Sequence, residues 1–175
     1  TDNPRRRYAL LAARFYPRQP ETVCAVTGTN GKTSVANFLR QVWKTAGFQA
    51  ASAGTLGIHS EVFNRDDGLT TPDPADLHAD LAHLAELGVD HLAMEASSHG
   101  LDQYRLDGVR VAAGAFTNLT RDHLDYHGSL ETYFKAKRRL FDELVVDGGA
   151  AVINADDVHG AELIAAAQAR HLRVR

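Results

Sequence analysis

Apolar positions along this chain follow two rhythms that take turns. Short runs of β-branched or small apolar residues at 22–27, 48–53, 89–94, 109–116 and 150–154 read as buried strands. Between them, apolar residues three and four apart read as helices. The first helix covers residues 4–15, with Tyr8, Leu11 and Phe15 on one face. A second follows the strand 22–27, with Val35, Phe38, Leu39 and Val42 as its stripe and Gly47 in the C-cap role. Asp73-Pro74 opens another, with Leu77, Leu81, Leu84 and Ala85 inward and Gly88 at its end. Ser129 caps a helix running to about residue 144, and residues 158–169 form the last. Residues 54–74 break both rhythms with glycine, threonine and proline. They predict a long functional loop with a small hairpin around 58–63. The alternation as a whole predicts an α/β fold, P-loop-like, with a mostly parallel sheet and helices on both faces.

One junction in this pattern carries chemistry. The strand 22–27 ends in Gly28-Thr29-Asn30-Gly31-Lys32-Thr33-Ser34 and passes straight into a helix. Glycines there let backbone N–H groups converge, and the helix N-terminus adds partial positive charge. Lys32 can supply a full charge to phosphate oxygens, and the Thr33 hydroxyl can ligate Mg²⁺. The general P-loop pattern has a glycine five residues before Gly31, where this chain has Val26.

Composition narrows the classes. The chain has 175 residues, 44% hydrophobic and 23% charged, with a net charge of −3, which is enough for about one globular domain. That balance gives no basic footprint for nucleic acid, and Arg5-Arg6-Arg7 reads as the exposed face of a helix. The single cysteine, Cys24, lies within an apolar strand and fits a reducing cytosol, so a cytoplasmic location is expected. No apolar run approaches membrane-spanning length. Thr1 is not an initiator methionine, and residues 172–175 read as the start of a fresh strand, so the chain is expected to be a piece of a longer protein.

Further candidates follow strand ends. Glu95 terminates the strand 89–94, at the rim where open parallel sheets bind ligands, and a carboxylate there can hold Mg²⁺. Residues 96–101 read as a dense polar turn without a packing purpose. The segment 117–128 carries two aspartates, two histidines and an arginine; Mg²⁺ suits a P-loop better than zinc. Within it, His127 reads as a structural hydrogen-bonding residue. The histidines at 59, 78, 83, 91, 99, 159 and 171 read mostly as surface or helix-face residues. On the helix after Ser129, Leu130, Tyr133, Phe134, Leu140, Phe141 and Leu144 form one stripe. Lys137 falls in its middle, while Lys135 and Arg139 are expected to point away.

Several of these blocks together resemble the Mur ligases, and in order and spacing the branch that adds the third peptide residue to UDP-N-acetylmuramoyl-L-alanyl-D-glutamate. The blocks are residues 26–33, Leu69-Thr70-Thr71-Pro72, residues 94–101, Phe116-Thr117-Asn118-Leu119, residues 121–128 and Tyr133-Phe134-Lys135-Ala136-Lys137. The resemblance implies a central ATP-binding domain, incomplete at its C-terminal end. It also implies an N-terminal UDP-binding domain and a C-terminal ligase domain that this chain lacks. It implies that Gly28, Thr29, Asn30, Gly31, Lys32, Thr33 and Ser34 bind ATP phosphates. Thr33, Glu95, His123 and a carbamylated Lys137 would serve Mg²⁺, with Lys32, Glu95, His123 and Lys137 as the catalytic set. Thr70, Thr71, Ser97, Gln103 and Arg105 would contact UDP-MurNAc-L-Ala-D-Glu, and the amine partner would be meso-diaminopimelate or L-lysine. The implied chemistry is carboxylate activation by ATP to an acyl phosphate, then attack by the amine. A monomer is expected, inactive by itself as a ligase. A folylpolyglutamate synthetase would share the chemistry. A nucleotide-binding module without it is the other alternative, although the guanine-reading motif of GTPases is absent.

Overall fold

The computed structural model describes residues 3–66 and 69–175; residues 67 and 68 of the expected long loop therefore lie outside the described residues. β1 (Thr22–Thr27) lies at the centre of the sheet, between β5 (His91–Glu95) and β6 (Val111–Phe116), and is parallel to both. β2 (Ala50–Gly54) continues the parallel set beside β5, and β3 (Gly57–His59) and β4 (Asn64–Arg65) add an antiparallel edge. On the other side come β7 (Val145–Ile153) and β8 (Arg173–Val174), again parallel. The resulting order is β4-β3-β2-β5-β1-β6-β7-β8. After β1 the chain winds one way to β2, and after β5 it crosses to β6 on the other side. The strand order therefore reverses at β1 and β6, where a crevice opens beyond their carboxyl ends.

The helix starts are written locally. α1 (Pro4–Phe15) begins at Asn3, whose side chain accepts from the backbone of Arg5 and Arg6, with a proline in the first turn. α3 (Pro74–Glu86) repeats the device with Asp73 and Pro74. α6 (Leu130–Arg139) starts at Ser129, which accepts from Thr132, and runs on into a π-helical turn at Leu140–Leu144.

Several expected faces are corrected. α1 buries Ala9 and Ala12, and Tyr8, Leu11 and Phe15 are exposed. Small residues let this helix lie close: Ala13 sits where a Cβ on Gly108 would collide. α2 (Lys32–Thr45) is turned likewise. Its buried residue is Ala36, Asn37 accepts from Ser52 on β2, and Phe38 and Val42 are 65% and 62% exposed. On α3 the inward set is Leu77, His78, Leu81, Ala82 and Leu84, with Ala85 only partly covered. Residues 96–101 are not an idle turn. Ser97 caps a short helix, α4 (Ser98–Asp102), which buries Ser98, Gly100 and Leu101.

On α6, Lys137 is buried and Lys135 exposed, as the stripe predicts, whereas Leu130 is exposed. Arg139 does not point away. It is buried because Asp107, from a different part of the chain, meets it with a carboxylate. β7 begins at Val145 rather than at 150, and its register against β6 shifts between Val111 and Ala113. α5 (Leu124–His127) and α7 (Gly160–Ala169) complete the described elements.

Candidate nucleotide and acceptor site

The loop after β1 is shaped by two glycines in the left-handed half of backbone space, Gly28 at φ +146° and Gly31 at φ +87°. A Cβ on Gly28 would strike the Thr117 hydroxyl and crowd the backbone of Asn118, so only glycine allows this close approach. The loop after β6 then braces the turn. Asn118 accepts from the Asn30 amide (3.0 Å) and its carbonyl accepts from the Thr29 amide (2.8 Å), while the Thr117 hydroxyl donates to the Asn30 carbonyl (2.7 Å). The Thr29 hydroxyl accepts from the Thr120 amide (2.9 Å) and lies 3.2 Å from the Tyr133 hydroxyl of α6.

Behind this brace stands a second one. Asn154, after β7, donates to the Thr117 carbonyl (2.8 Å), and Asp157 accepts from the Leu119 amide (2.8 Å). In the sequence Thr117 and Asn118 stand only within a block, and Asn154 and Asp157 belong to no motif. Their one signal was position, since each follows a strand that ends on the same rim.

Lys32 opens α2 and folds over its own loop, donating to the carbonyls of Gly28 (3.0 Å) and Thr29 (2.8 Å). Burial lowers its pKa, against the opposing pull of Glu95 and Asp122. Next to it the Thr33 hydroxyl donates to Glu95 (2.8 Å). Glu95 is 2% exposed and also accepts from the backbone amide (3.0 Å) and hydroxyl (3.3 Å) of Thr55. Gly54 makes room, because a Cβ there would run into the Glu95 carboxylate. Ser34, one residue further along α2, is exposed.

The acceptor candidates form a continuous net with this carboxylate. The Thr55 and Thr70 hydroxyls meet at 2.9 Å. Thr71 donates to the Glu95 carbonyl (3.2 Å) and accepts from the Ser97 amide (3.0 Å). Arg105 donates to the Thr71 carbonyl (2.7 Å) and places two nitrogens on the Gln103 side-chain oxygen (3.1 and 2.6 Å). The fold thus gathers Thr33, Thr70, Thr71, Glu95, Ser97, Gln103 and Arg105 into one hydrogen-bonded rim, although they come from four separate stretches of the chain.

His123 sits in a different setting. It has φ +50°, is half exposed, and its ring lies 3.4 Å from the Asp122 carboxylate and against the ring of His99. His99 in turn stacks near Tyr126 and His127, so it is a cluster residue rather than a bland surface one. No hydrogen bond or ion pair joins His123 to Glu95 among the described residues, and none of their histidine, cysteine, aspartate and glutamate side chains form a ready three-ligand cation cage. His127 is buried and hydrogen-bonded to the Ser98 hydroxyl (3.0 Å), the structural role expected of it.

Lys137 approaches the cradle from α6. It is 1% exposed, donates to the Gly28 carbonyl (2.8 Å) and stands 4.3 Å from the centre of the Tyr133 ring. Burial first, and the neighbouring Lys32 charge second, push its pKa down to about 7. A buried amine near neutrality is a nucleophile in waiting. Oxygen donors at Thr33 and Glu95, beside a glycine turn, are of the kind that suits a hard cation.

Known proteins resemble this arrangement closely. The family described as "Mur ligase middle domain" matches residues 26–175. The UDP-N-acetylmuramoyl-L-alanyl-D-glutamate--2,6-diaminopimelate ligase of Bradyrhizobium diazoefficiens is 62% identical over 172 residues, 98% of this chain and 36% of that protein. The protein of the same name from Brucella melitensis is 59% identical over 95% of this chain and 34% of its own length. The chain therefore spans about a third of the length of the curated relatives it matches. A solved structure of a ligase with that name superposes with a TM-score of 0.84 at 34% identity, covering 97% of this chain and 35% of that one. A bifunctional folylpolyglutamate synthase/dihydrofolate synthase solved with Mn, AMPPNP and L-glutamate shares the fold alone, with a TM-score of 0.70 at 15% identity over 97% of this chain and 47% of that one. Among the described residues no helix is long and apolar enough to cross a membrane. On the family match and these identities, the chain belongs to the Mur ligase middle-domain family.

Proposed function

We propose that this chain is the ATP-activating core of a cytoplasmic ligase that adds 2,6-diaminopimelate to UDP-MurNAc-L-Ala-D-Glu. The observation that carries this reading is the 62% identity, across nearly the whole chain, to a relative named for that reaction. In this reading the relative's remaining length supplies a UDP-binding domain before this one and an amine-binding domain after it. The chain alone would then make no peptide product. The folylpolyglutamate alternative has only the shared fold to support it.

In this reading the residues divide by role. Gly28, Thr29, Asn30, Gly31, Lys32, Thr33 and Ser34 would hold the ATP phosphates. Thr33, Glu95, His123 and Lys137 as a carbamate would hold Mg²⁺, which, when bound, neutralises crowded phosphate charge. The fit rests on a buried carboxylate and hydroxyl already paired at the cradle, and on an amine whose lowered pKa leaves it partly neutral near pH 7. A neutral lysine amine adds to CO₂, forms an N–C bond and releases one proton, leaving an anionic carbamate. Thr70, Thr71, Ser97, Gln103 and Arg105 would orient the muramoyl dipeptide. The D-glutamate side-chain carboxylate attacks the γ-phosphorus of ATP, giving an acyl phosphate and ADP; the amine then attacks the acyl carbon and phosphate leaves. The work of this chain is positioning and charge neutralisation.

The test is phosphate release by the full-length protein with ATP, UDP-MurNAc-L-Ala-D-Glu and either diamino acid. Release dependent on the muramoyl dipeptide and on diaminopimelate is expected. Turnover with lysine in preference, or with a folate substrate, would contradict the reading.

A further inference from the structure

Arg139 ends α6 and directs its donors at one stretch of chain. Its Nη2 donates to both oxygens of Asp107 (2.8 and 2.6 Å), and its Nη1 donates to the Leu101 carbonyl (2.9 Å). The guanidinium carbon stands 4.0 Å from the centre of the Tyr104 ring, and Nε donates to Glu143 (3.0 Å). Asp107 is gripped a second time by Arg6 of α1 (3.0 Å), and its carbonyl meets the His78 ring of α3 (3.1 Å). The pinned stretch, from Leu101 to Asp107, is the one that carries Gln103 and Arg105. Those two side chains engage each other and Thr71 instead of Arg139.

The backbone explains the division. Tyr104 has φ +61°, a left-handed conformation that a bulky residue adopts only when its surroundings enforce it. Its ring lies against a guanidinium whose neighbouring nitrogens hold the carbonyl three residues earlier and the carboxylate three residues later. A ring contact, one nitrogen shared by both carboxylate oxygens and a second nitrogen on a carbonyl are satisfied together by one rigid guanidinium.

We propose that Arg139 is a positioning residue for the acceptor subsite: by pinning Leu101, Tyr104 and Asp107 it fixes the turn that presents Gln103 and Arg105. The inference rests on the reading of Gln103 and Arg105 as contacts to the muramoyl dipeptide. It deepens that reading by placing the control of acceptor binding on the helix that also carries Lys137.

Steady-state kinetics on the full-length protein test it, with ATP and UDP-MurNAc-L-Ala-D-Glu varied separately. Arg139→Lys keeps the charge but not the fork. It should raise KM for the muramoyl dipeptide about tenfold and KM for ATP less than about twofold. Tyr104→Leu removes the ring contact but leaves the Arg139–Asp107 ion pair, and serves if the lysine variant does not fold; it should raise the same KM about threefold. Arg105→Ala is the control for the underlying reading. If it raises the dipeptide KM while both other variants, folded, leave the ratio of the two KM values unchanged, the positioning role is overturned and the subsite reading stands. A lowered melting temperature with both KM values intact counts against the proposal in the same way. If Arg105→Ala leaves the dipeptide KM unchanged, the subsite reading falls, and the proposal falls with it.

Discussion

Two cations lie buried on one helix, two residues apart, and they have been treated in opposite ways. Arg139 is 8% exposed and meets both oxygens of the Asp107 carboxylate, so it serves as a pin between distant segments. Lys137 is more deeply buried, yet its hydrogen bond is to a carbonyl, and the Lys32 charge disfavours its ammonium against the weaker pull of Asp122. Burial with an opposite charge yields architecture. Burial with no carboxylate in contact, only the outweighed pull of Asp122, weakens the charged form and leaves a partly neutral amine beside the glycine turn proposed to hold phosphate.

The comparison can be broken most severely through activity. In the full-length protein, Lys137→Ala should lower turnover by about a thousandfold, the scale of losing a fixed charge at a phosphoryl-transfer site, while Lys135→Ala keeps most of it. Equal losses in the two variants would mean that burial does not distinguish them. Stability separates the two cations next. Arg139→Met strands Asp107 with only the half-exposed Arg6 and should cost about 3 kcal/mol in denaturant unfolding of this chain. Pairing it with Asp107→Leu should return most of that loss, because no buried charge is then left unpaired.

Lys137→Met should do the opposite of Arg139→Met. The folded-state pKa of Lys137 is about 7, below the ordinary lysine value of 10.5, so between those pH values the unfolded chain binds more protons than the folded one. Stability linked to this group therefore rises with pH through that window and is lowest below pH 7. Replacing the amine should raise the melting temperature at pH 6 more than at pH 10; an equal shift at both would show that the amine is not desolvated. A smaller effect is expected at Lys32, whose two hydrogen bonds to loop carbonyls are offset by the cost of burying its charge. Lys32→Ala should melt within a few degrees of the parent but lose stabilisation by added ATP. The smallest belongs to the outer face of α2, where Phe38→Ser should change stability by about 0.5 kcal/mol or less, since the side chain is already in water.

What could be read from the sequence divides along the same line as the two cations. The cradle from Gly28 to Ser34 is contiguous, and its glycines, lysine and threonine state their chemistry in one turn. Lys137 was visible because its neighbours on one helix are apolar. Arg139 was misread because its partner, Asp107, lies 32 residues away, where helical periodicity cannot see it. The stripe of Val35, Phe38, Leu39 and Val42 had the right spacing for a core face. The true inward face is carried by small and polar residues, Ala36 against the sheet and Asn37 bonded to Ser52, to which an apolar count is blind. β7 was shortened at its start because Asp147-Gly148-Gly149 reads as a turn. The strand in fact runs through it with Gly148 at φ +71° and a register shift against β6. Asn118 stands in a resembling block that says nothing of its bracing role, and Asn154 is an isolated amide to which only the shared strand-end rim points.

In the proposed function Lys137, a buried amine with no carboxylate in contact, takes up CO₂. ¹³C NMR of the full-length protein equilibrated with ¹³C-bicarbonate tests this directly. A carbamate carbonyl resonance should be present in the parent and in Lys135→Ala and absent from Lys137→Ala. No such resonance in the parent, or one that survives in Lys137→Ala, would contradict it.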